Sequence, residues 1–301
     1  MTGALARRKG LETRALIRNA AIPHDGDGGY YVTVRGNVAD PAVLAALLRP
    51  GCCVANFVYD AAAPMQESLA AANALAEGCI KHGVRRMLHC STATVVGVTR
   101  VARIDETTAC HPGTAYEKTK IAVENLLLEK ARGRFELVIL RPTAVFGAGG
   151  RNLLKLARDL AHGPRLTNYL RSCANGARRL NLVAAENVVA AAVFLLEADA
   201  VDQEIFIISD DENPLNNFRD VESCLMHRLA IPAYPARCAL PQAVLSLLLR
   251  MRGRSLTNPE TLFSCDKLRQ LGFIKPVNFD AALAAFASWY AATLKPPGRL
   301  S

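Results

Sequence analysis

From Glu12 to about Pro142, short apolar runs of strand length alternate with longer runs of helical period. The strand-like runs are Thr13–Arg18, Tyr30–Arg35, Cys53–Tyr59, Arg86–Ser91 and Phe135–Leu140, most of them rich in Val, Ile, Leu or aromatic residues. Strands separated by helices cannot pair as tight hairpins, so the alternation predicts an α/β fold with a parallel sheet covered by helices. Helix signals fall where that scheme needs them. Asp40 followed by Pro41 is an N-cap with a first-turn proline and opens Pro41–Leu48, which Pro50-Gly51 stops. Met65–His82 and Tyr116–Ala131 are the next two helices, ending near Gly83 and Gly133.

Beyond Asn152 the pattern loosens. It predicts a helix near Leu153–Ala161, an irregular basic stretch from Gly163 to Arg179, a helix over Ala185–Glu197 and a strand over Glu204–Ser209. Helices near Phe218–Leu229, Gln242–Arg252 and Phe279–Leu294 follow, joined by proline-containing loops. The expected division is a sheet domain over 1–162, to which 181–210 returns, and a smaller, mostly helical C-terminal lobe made of 163–180 and 211–301.

A chain of 301 residues with 51% hydrophobic and 21% charged residues has the composition of a globular protein that buries a core. Lys and Arg number 36 against 27 acidic residues, a net charge of +9 that suits an anionic ligand. The basic residues are scattered and aromatics are only 6%, which weighs against nucleic-acid binding and favours a phosphate-bearing small molecule. The nine cysteines include no Cys-x-x-Cys pair and read as buried thiols of a reducing cytoplasm. The histidines His24, His82, His89, His111, His162 and His227 show no ligand spacing, so no metal is expected. The most apolar helix candidate, Ala239–Leu249, is about eleven residues long, too short to cross a bilayer, and no signal peptide is recognisable; the expected location is cytoplasmic.

Chemistry concentrates in three segments. Tyr116-Glu117-Lys118-Thr119-Lys120 opens a helix after Pro112 and puts a phenol and an ammonium four residues apart, on one face. A nearby cation favours phenolate, so such a pair can serve as a general acid/base near neutral pH. The same spacing also occurs on helix surfaces that carry no chemistry. Upstream, an apolar strand ends in His89-Cys90-Ser91-Thr92-Ala93-Thr94, which sets hydroxyls at the carboxyl edge of the sheet, where open α/β folds bind ligands. Downstream, another strand ends in Leu140-Arg141-Pro142-Thr143-Ala144-Val145-Phe146-Gly147.

In this order and spacing the three segments resemble the extended short-chain dehydrogenase/reductase superfamily, the NAD(P)-dependent epimerase/dehydratase group, from about Leu11 to Tyr290. The resemblance implies a Rossmann-like, doubly wound parallel sheet that binds a dinucleotide, with the smaller lobe taking the substrate. It implies that Tyr116 moves a proton on a substrate hydroxyl or carbonyl. Lys120 would bind the nicotinamide ribose and lower the tyrosine pKa, and Thr92 would hydrogen-bond the reacting oxygen, with Ser91 in reserve. Pro142 and Thr143 match the stretch that runs past the nicotinamide. Gly36-Asn37-Val38 matches the family's turn beside the adenine, with Asn37 replacing the usual aspartate. Phe57, Val58 and Tyr59 end the next strand, where the family more often has small residues. Arg18 ends a strand where an arginine can meet a 2′-phosphate, which favours NADP over NAD; a solvated strand-end arginine is the plain alternative.

A strand followed by a Gly-rich turn normally opens a dinucleotide fold, and this sequence has neither. Met1–Gly10 resembles the last turns of the helix that should follow, and the expectation is that this start lies downstream of the true one rather than that the chain is a degenerate relative. The family's first strand is central, so its absence removes hydrogen-bond partners on both sides.

Several residues have both a functional and an ordinary reading. Ser68 stands where many relatives have asparagine; it and the nearby Asn73 read as solvent-facing. Asp105-Glu106 can supply a carboxylate or be an exposed loop pair, and His111 borders the tyrosine helix. Arg165, Arg171, Arg178 and Arg179 can grip a diphosphate or simply solubilise a loop. Leu245–Arg254 reads as an amphipathic helix packed on its own domain rather than on a membrane. The preferred substrate is a nucleotide sugar, epimerised or dehydrated through a keto intermediate. A reductase of a small carbonyl or sterol-like alcohol, and a non-catalytic scaffold or dinucleotide sensor, are the alternatives. The expected partners are thus a small molecule, no nucleic acid and no membrane span, with a homodimer left open.

Overall fold

The computed structural model describes residues 12–18, 31–60, 62–99, 101–234 and 260–294. The Met1–Gly10 stretch, His24, Cys238 and the Gln242–Arg252 and Leu245–Arg254 segments lie outside them. The fold is α/β with parallel pairing, and the expected elements recur within a residue or two at most ends. Strand β1 (Thr13–Ile17) pairs in parallel with β2 (Tyr31–Arg35) as a two-stranded sheet. Strands β3 (Cys53–Asn56), β4 (Arg86–Cys90), β6 (Glu136–Pro142) and β9 (Glu204–Ile208) form a separate sheet in the order β3-β4-β6-β9. Each of β1 and β3 is therefore hydrogen-bonded to one strand only among the described residues. The strand that the resemblance would place between them is not among the described residues.

The chain divides into two compact units. The first comprises Met1–Gly97, Pro112–Arg141 and Val189–Phe206, and the second Val98–His111, Pro142–Val188 and Ile207–Ser301. The second unit thus takes segments 98–111, 142–162, 181–188 and 207–210, which the sequence reading had assigned to the first.

In the first unit, helices α1 (Pro41–Leu47), α2 (Met65–Lys81) and α3 (Ala115–Ala131) bury an apolar face against the sheet. Leu44, Leu75, Cys79, Met87, Leu127, Leu137 and Ile139 form that core. α1 and α2 approach so closely at Gly78 that a Cβ there would lie 2.8 Å from Leu44 Cδ1. Helix α6 (Ala185–Glu197) ends on the buried Arg86, whose Nη1 donates to the carbonyls of Leu195, Leu196 and Ala198 at 3.0, 3.1 and 2.6 Å. A guanidinium there satisfies carbonyls that the helix leaves open and complements the negative end of its dipole.

The second unit packs β7 (Ala144–Phe146), β8 (Leu182–Ala184), α4 (Leu154–His162), α7 (Phe218–Arg228) and α9 (Phe279–Leu294) around Phe146. The Phe146 ring meets Phe279 and Phe286 edge-on at 5.6 and 6.4 Å. A small parallel pair, β5 (Arg103–Ile104) with β10 (Leu262–Phe263), and a short α8 (Asp266–Gln270) complete it.

Two expectations are corrected here. The basic stretch 163–179 is not irregular: Arg165–Asn175 is helix α5. Its polarity is inverted, because Leu166 and Leu170 are 69% and 57% exposed while Asn168 and Ser172 are buried. Asn168 Nδ2 donates to Asp159 O at 2.6 Å and Ser172 Oγ to Glu222 Oε2 at 2.5 Å, so polar contacts rather than an apolar stripe seat the helix. The cysteines are not uniformly buried either. Cys79, Cys173 and Cys265 are, but Cys53 is exposed and its Sγ lies 3.0 Å from Arg85 Nη2.

Candidate active site

Helix α3 begins with a capping box. Glu117 N donates to Thr114 Oγ1 at 3.2 Å, and Glu117 Oε2 accepts from Thr114 N at 3.0 Å and from Gly113 N at 2.8 Å. This pins the first turn, and with it Tyr116 and Lys120 one turn on. The Thr92 side chain stands near enough to the Tyr116 phenol to favour its ionised form. Thr92 is held by its own local network: its Oγ1 lies 3.1 Å from Thr94 Oγ1 and accepts from Thr94 N at 3.3 Å, capping the short 3-10 turn Ala93–Val96. Phenol and strand-end hydroxyl thus share one place. The Ser91 hydroxyl is buried with no hydrogen-bond partner among the described residues. Tyr116 remains 37% exposed, and its ring meets Tyr59 edge-on at 5.1 Å.

The electrostatics differ from expectation in one respect. Burial raises the Tyr116 pKa above its ordinary value, the Thr92 side chain offsets part of this, and Tyr59, Cys90 and Glu117 push it further up. Lys120 Nζ donates to Cys90 O at 3.2 Å and lies 4.8 Å from the centre of the Tyr59 ring, so the ammonium is satisfied by a carbonyl and a π-face. Lys120 is itself buried, and that burial lowers its pKa. At neutral pH the phenol is therefore protonated: it is ready to give a proton, and taking one requires ionisation against its burial.

A direct consequence concerns Thr92. Thr92→Val removes the hydroxyl that favours phenolate, so the Tyr116 pKa is expected to rise further. The alkaline rise of any alcohol-oxidation rate then moves to higher pH, with about a tenfold loss of rate below it. A pH–rate profile, alongside ultraviolet titration of the tyrosines, measures this; an unmoved profile would separate Thr92 from the phenol.

Beside Lys120 the first unit holds a cavity of about 350 Å³, within the range of small-molecule sites. Leu16, Leu75, Val123 and several alanines make it largely apolar, while polar groups include the cations Arg18 and Lys120, the carboxylates Asp60 and Glu67, the amides Asn37 and Asn56, and His89, Ser68 and Thr119. The turn Gly36-Asn37-Val38 needs its glycine, since a Cβ there would lie 2.3 Å from Val43 Cγ2. Asn37 Oδ1 accepts from Ala39 N at 3.0 Å, and Val38 is buried in the core. Arg18 is half paired: its Nη1 donates to Asp60 Oδ2 at 3.0 Å.

Strand β3 stops at Asn56, earlier than the expected Tyr59, because Asn56 Oδ1 takes the N–H of Val58 at 3.0 Å. Val58 and Tyr59 line the cavity; Phe57 is exposed and outside its lining. Pro142 and Thr143 are buried and belong to the second unit, where Thr143 N donates to Ile208 O at 3.1 Å.

The residues with two readings mostly have partners within the protein. Asp105 closes a turn with Thr107 and Thr108, and Glu106 Oε1 accepts from Ile207 N at 2.7 Å. His111 is exposed. Arg165 donates to the carbonyls of Pro232 and Ala233, Arg171 to Asp159, and Arg179 to the carbonyls of Asp211 and Asn213. Asn73 is half-buried, whereas Ser68 lines the cavity. The sequence reading missed Asn56, Asp60 and the cavity-facing role of His89. A histidine inside the apolar run Met87-Leu88-His89 was the available signal.

A model of the family described as "NAD dependent epimerase/dehydratase family" matches residues 33–209, more than half of the chain. The chain belongs to that family. It is accordingly an NAD(P)-dependent epimerase/dehydratase-like enzyme. A search of curated proteins finds no match. Among solved structures, the Bordetella bronchiseptica enzyme WbmH in complex with NAD+ is similar with a TM-score of 0.71 at 18% identity, over 94% of this chain and 91% of that one. UDP-glucose 4-epimerase from Thermotoga maritima, solved with UDP-glucose, has a TM-score of 0.68 at 17% identity, over 95% and 93%. The dTDP-glucose 4,6-dehydratase of Bacillus anthracis, in complex with NAD, has 0.65 at 14%, over 89% and 82%. These likenesses establish a Rossmann fold shared with epimerases and dehydratases. No helix among the described residues is long and apolar enough to cross a membrane.

Proposed function

We propose that this member of the epimerase/dehydratase family acts on a nucleotide-linked sugar through a keto intermediate, with NAD(P) as cofactor. The observation that carries the reading is the proximity of Tyr116 on α3 to Thr92 at the end of β4, next to a cavity lined by Lys120. Structures of similar fold bind NAD or UDP-glucose, which supports the substrate class.

The lining suits a dinucleotide: the cations Arg18 and Lys120, the amides Asn37 and Asn56 and the carboxylates Asp60 and Glu67 rim an otherwise apolar cavity, with Asp60 already engaged by Arg18, and such a mix can meet phosphates, ribose hydroxyls and an uncharged base. Lys120 and Tyr59, with Val58 beside it, would hold the ribose side, and Phe57, outside the lining, takes no part. Arg18, Asn37 and Val38 would hold the adenosine side. A bound nicotinamide supplies reversible uptake of a hydride from a sugar carbinol. Tyr116 takes the hydroxyl proton of that carbinol and returns it, while Thr92 hydrogen-bonds the same oxygen. Lys120 orients the ribose and adds positive potential beside the phenol when charge develops.

NADP is the favoured cofactor form, because Arg18 is 67% exposed at the cavity rim and Asp60 engages only one of its nitrogens. Arg18→Ala is expected to weaken NADPH binding about tenfold more than NADH binding, the worth of one charge-assisted phosphate contact. Calorimetry with both nucleotides measures it; equal losses would assign NAD. Turnover of UDP-sugars against lipophilic ketones tests the substrate. Ketone reduction without sugar turnover would make the protein a reductase, and binding of neither nucleotide would make it a scaffold.

A further inference from the structure

His89 is a polar group of the cavity whose hydrogen-bonding state its neighbours determine. The ring is 2% exposed, on β4 opposite Asn56 in the parallel register with β3. Asn56 Oδ1 is committed to the N–H of Val58 at 3.0 Å, so its amide NH2 must face the other way. That NH2 lies 3.1 Å from His89 Nδ1. An amide NH2 only donates, so Nδ1 must accept, and the imidazole proton must sit on Nε2. Nε2 has no hydrogen-bond partner among the described residues, yet the ring lines the cavity.

Protonation offers no escape from this arrangement. A second ring proton would put two donors face to face at Nδ1. Burial first, and then the charge of Lys120, push the His89 pKa down to about 3. The ring is neutral across the physiological range and presents one fixed N–H. A buried donor with no acceptor costs about 1–3 kcal/mol, and its placement in a cavity wall beside Lys120 points to an acceptor that arrives with a ligand.

We propose that His89 is a ligand-binding residue of this cavity, which donates its Nε2–H to a ribose or phosphate oxygen of the dinucleotide held by Lys120. The assignment rests on the dinucleotide reading above and adds to it a neutral donor that recognises oxygen without contributing charge. Asn56 is its positioning residue, since the amide selects the tautomer.

The experiment combines calorimetry of NADH and NADPH with nitrogen-15 spectra of the histidine rings in the intact chain. In the wild type, the spectra are expected to show His89 as the Nε2–H tautomer, with its ring proton shifting when either nucleotide is added. His89→Phe keeps the ring volume and removes the donor, and is expected to weaken both nucleotides about tenfold. His89→Gln, whose amide NH2 reaches the position of Nε2, is expected to bind within about threefold of wild type. Should Phe disturb folding, the wild-type spectra and the Gln variant still decide the matter. An Nδ1–H tautomer, or an Nε2 proton that does not respond while the nucleotide binds, overturns the proposal. So does unchanged affinity in His89→Phe, the result expected if a water were the acceptor. Binding of neither nucleotide to the wild type overturns the dinucleotide reading and this inference with it, an outcome distinct from binding that ignores His89.

Discussion

Tyr116→Phe is expected to lower kcat by about two to four orders of magnitude, the usual contribution of a positioned general acid/base, with NADPH affinity within about twofold of wild type. The variant keeps the ring that packs edge-on against Tyr59 and loses only the hydroxyl near Thr92. Fold and cofactor binding should therefore survive, and the defect should fall on chemistry. The residual activity should also lose the alkaline rise that belongs to phenol ionisation. Steady-state kinetics with a UDP-sugar from pH 6 to 10, alongside calorimetry, measures both. A variant that keeps more than a tenth of wild-type kcat would show that another group carries the proton.

The second large effect is on stability. Arg141 and Glu124 form a bidentate ion pair, Nε to Oε1 at 3.0 Å and Nη2 to Oε2 at 2.5 Å, and both side chains are buried within the first unit. Glu124→Ala removes the carboxylate from a guanidinium that cannot shed its proton. The expected cost is about 3–5 kcal/mol. Thermal unfolding should show a fall in Tm on the order of 10 °C. Pairing the change with Arg141→Met should recover most of it, since the penalty lies in the uncompensated charge rather than in the lost attraction. A fall of under 2 °C in the single variant would mean that water reaches the pair.

Lys120 and Glu124 are successive residues on the same side of α3, and the sequence spacing says as much. Spacing could not say that the carboxylate is claimed by Arg141, or that the ammonium turns to Cys90 O and the face of Tyr59 rather than to Tyr116. Tyr59 itself was legible as a bulky residue at a strand end. What it does to Lys120 depends on a ring reaching across from a different element. The same holds for His89, whose tautomer follows from Asn56, thirty-three residues away in the chain.

Helix α5 shows where pattern reading fails for a physical reason. Periodicity detects helices through their apolar stripe, and here the buried side is Asn168, Ser172 and Cys173 while leucines face outward. The capping box Thr114-x-x-Glu117, by contrast, is a local device, because both of its hydrogen bonds lie within one turn.

The sequence by itself determined the alternation of strands and helices, the parallel α/β class and the order and spacing of the segments that hold Thr92, Tyr116 and Lys120. These depend on backbone preference, side-chain period and chain order, all of which are local or one-dimensional. Only the tertiary structure decided how the strands divide between two sheets, which cations are already partnered, how far the phenol is buried and which proton His89 carries. Those properties arise from distant residues competing for the same hydrogen bonds and the same dry space, and no window along the chain contains both competitors.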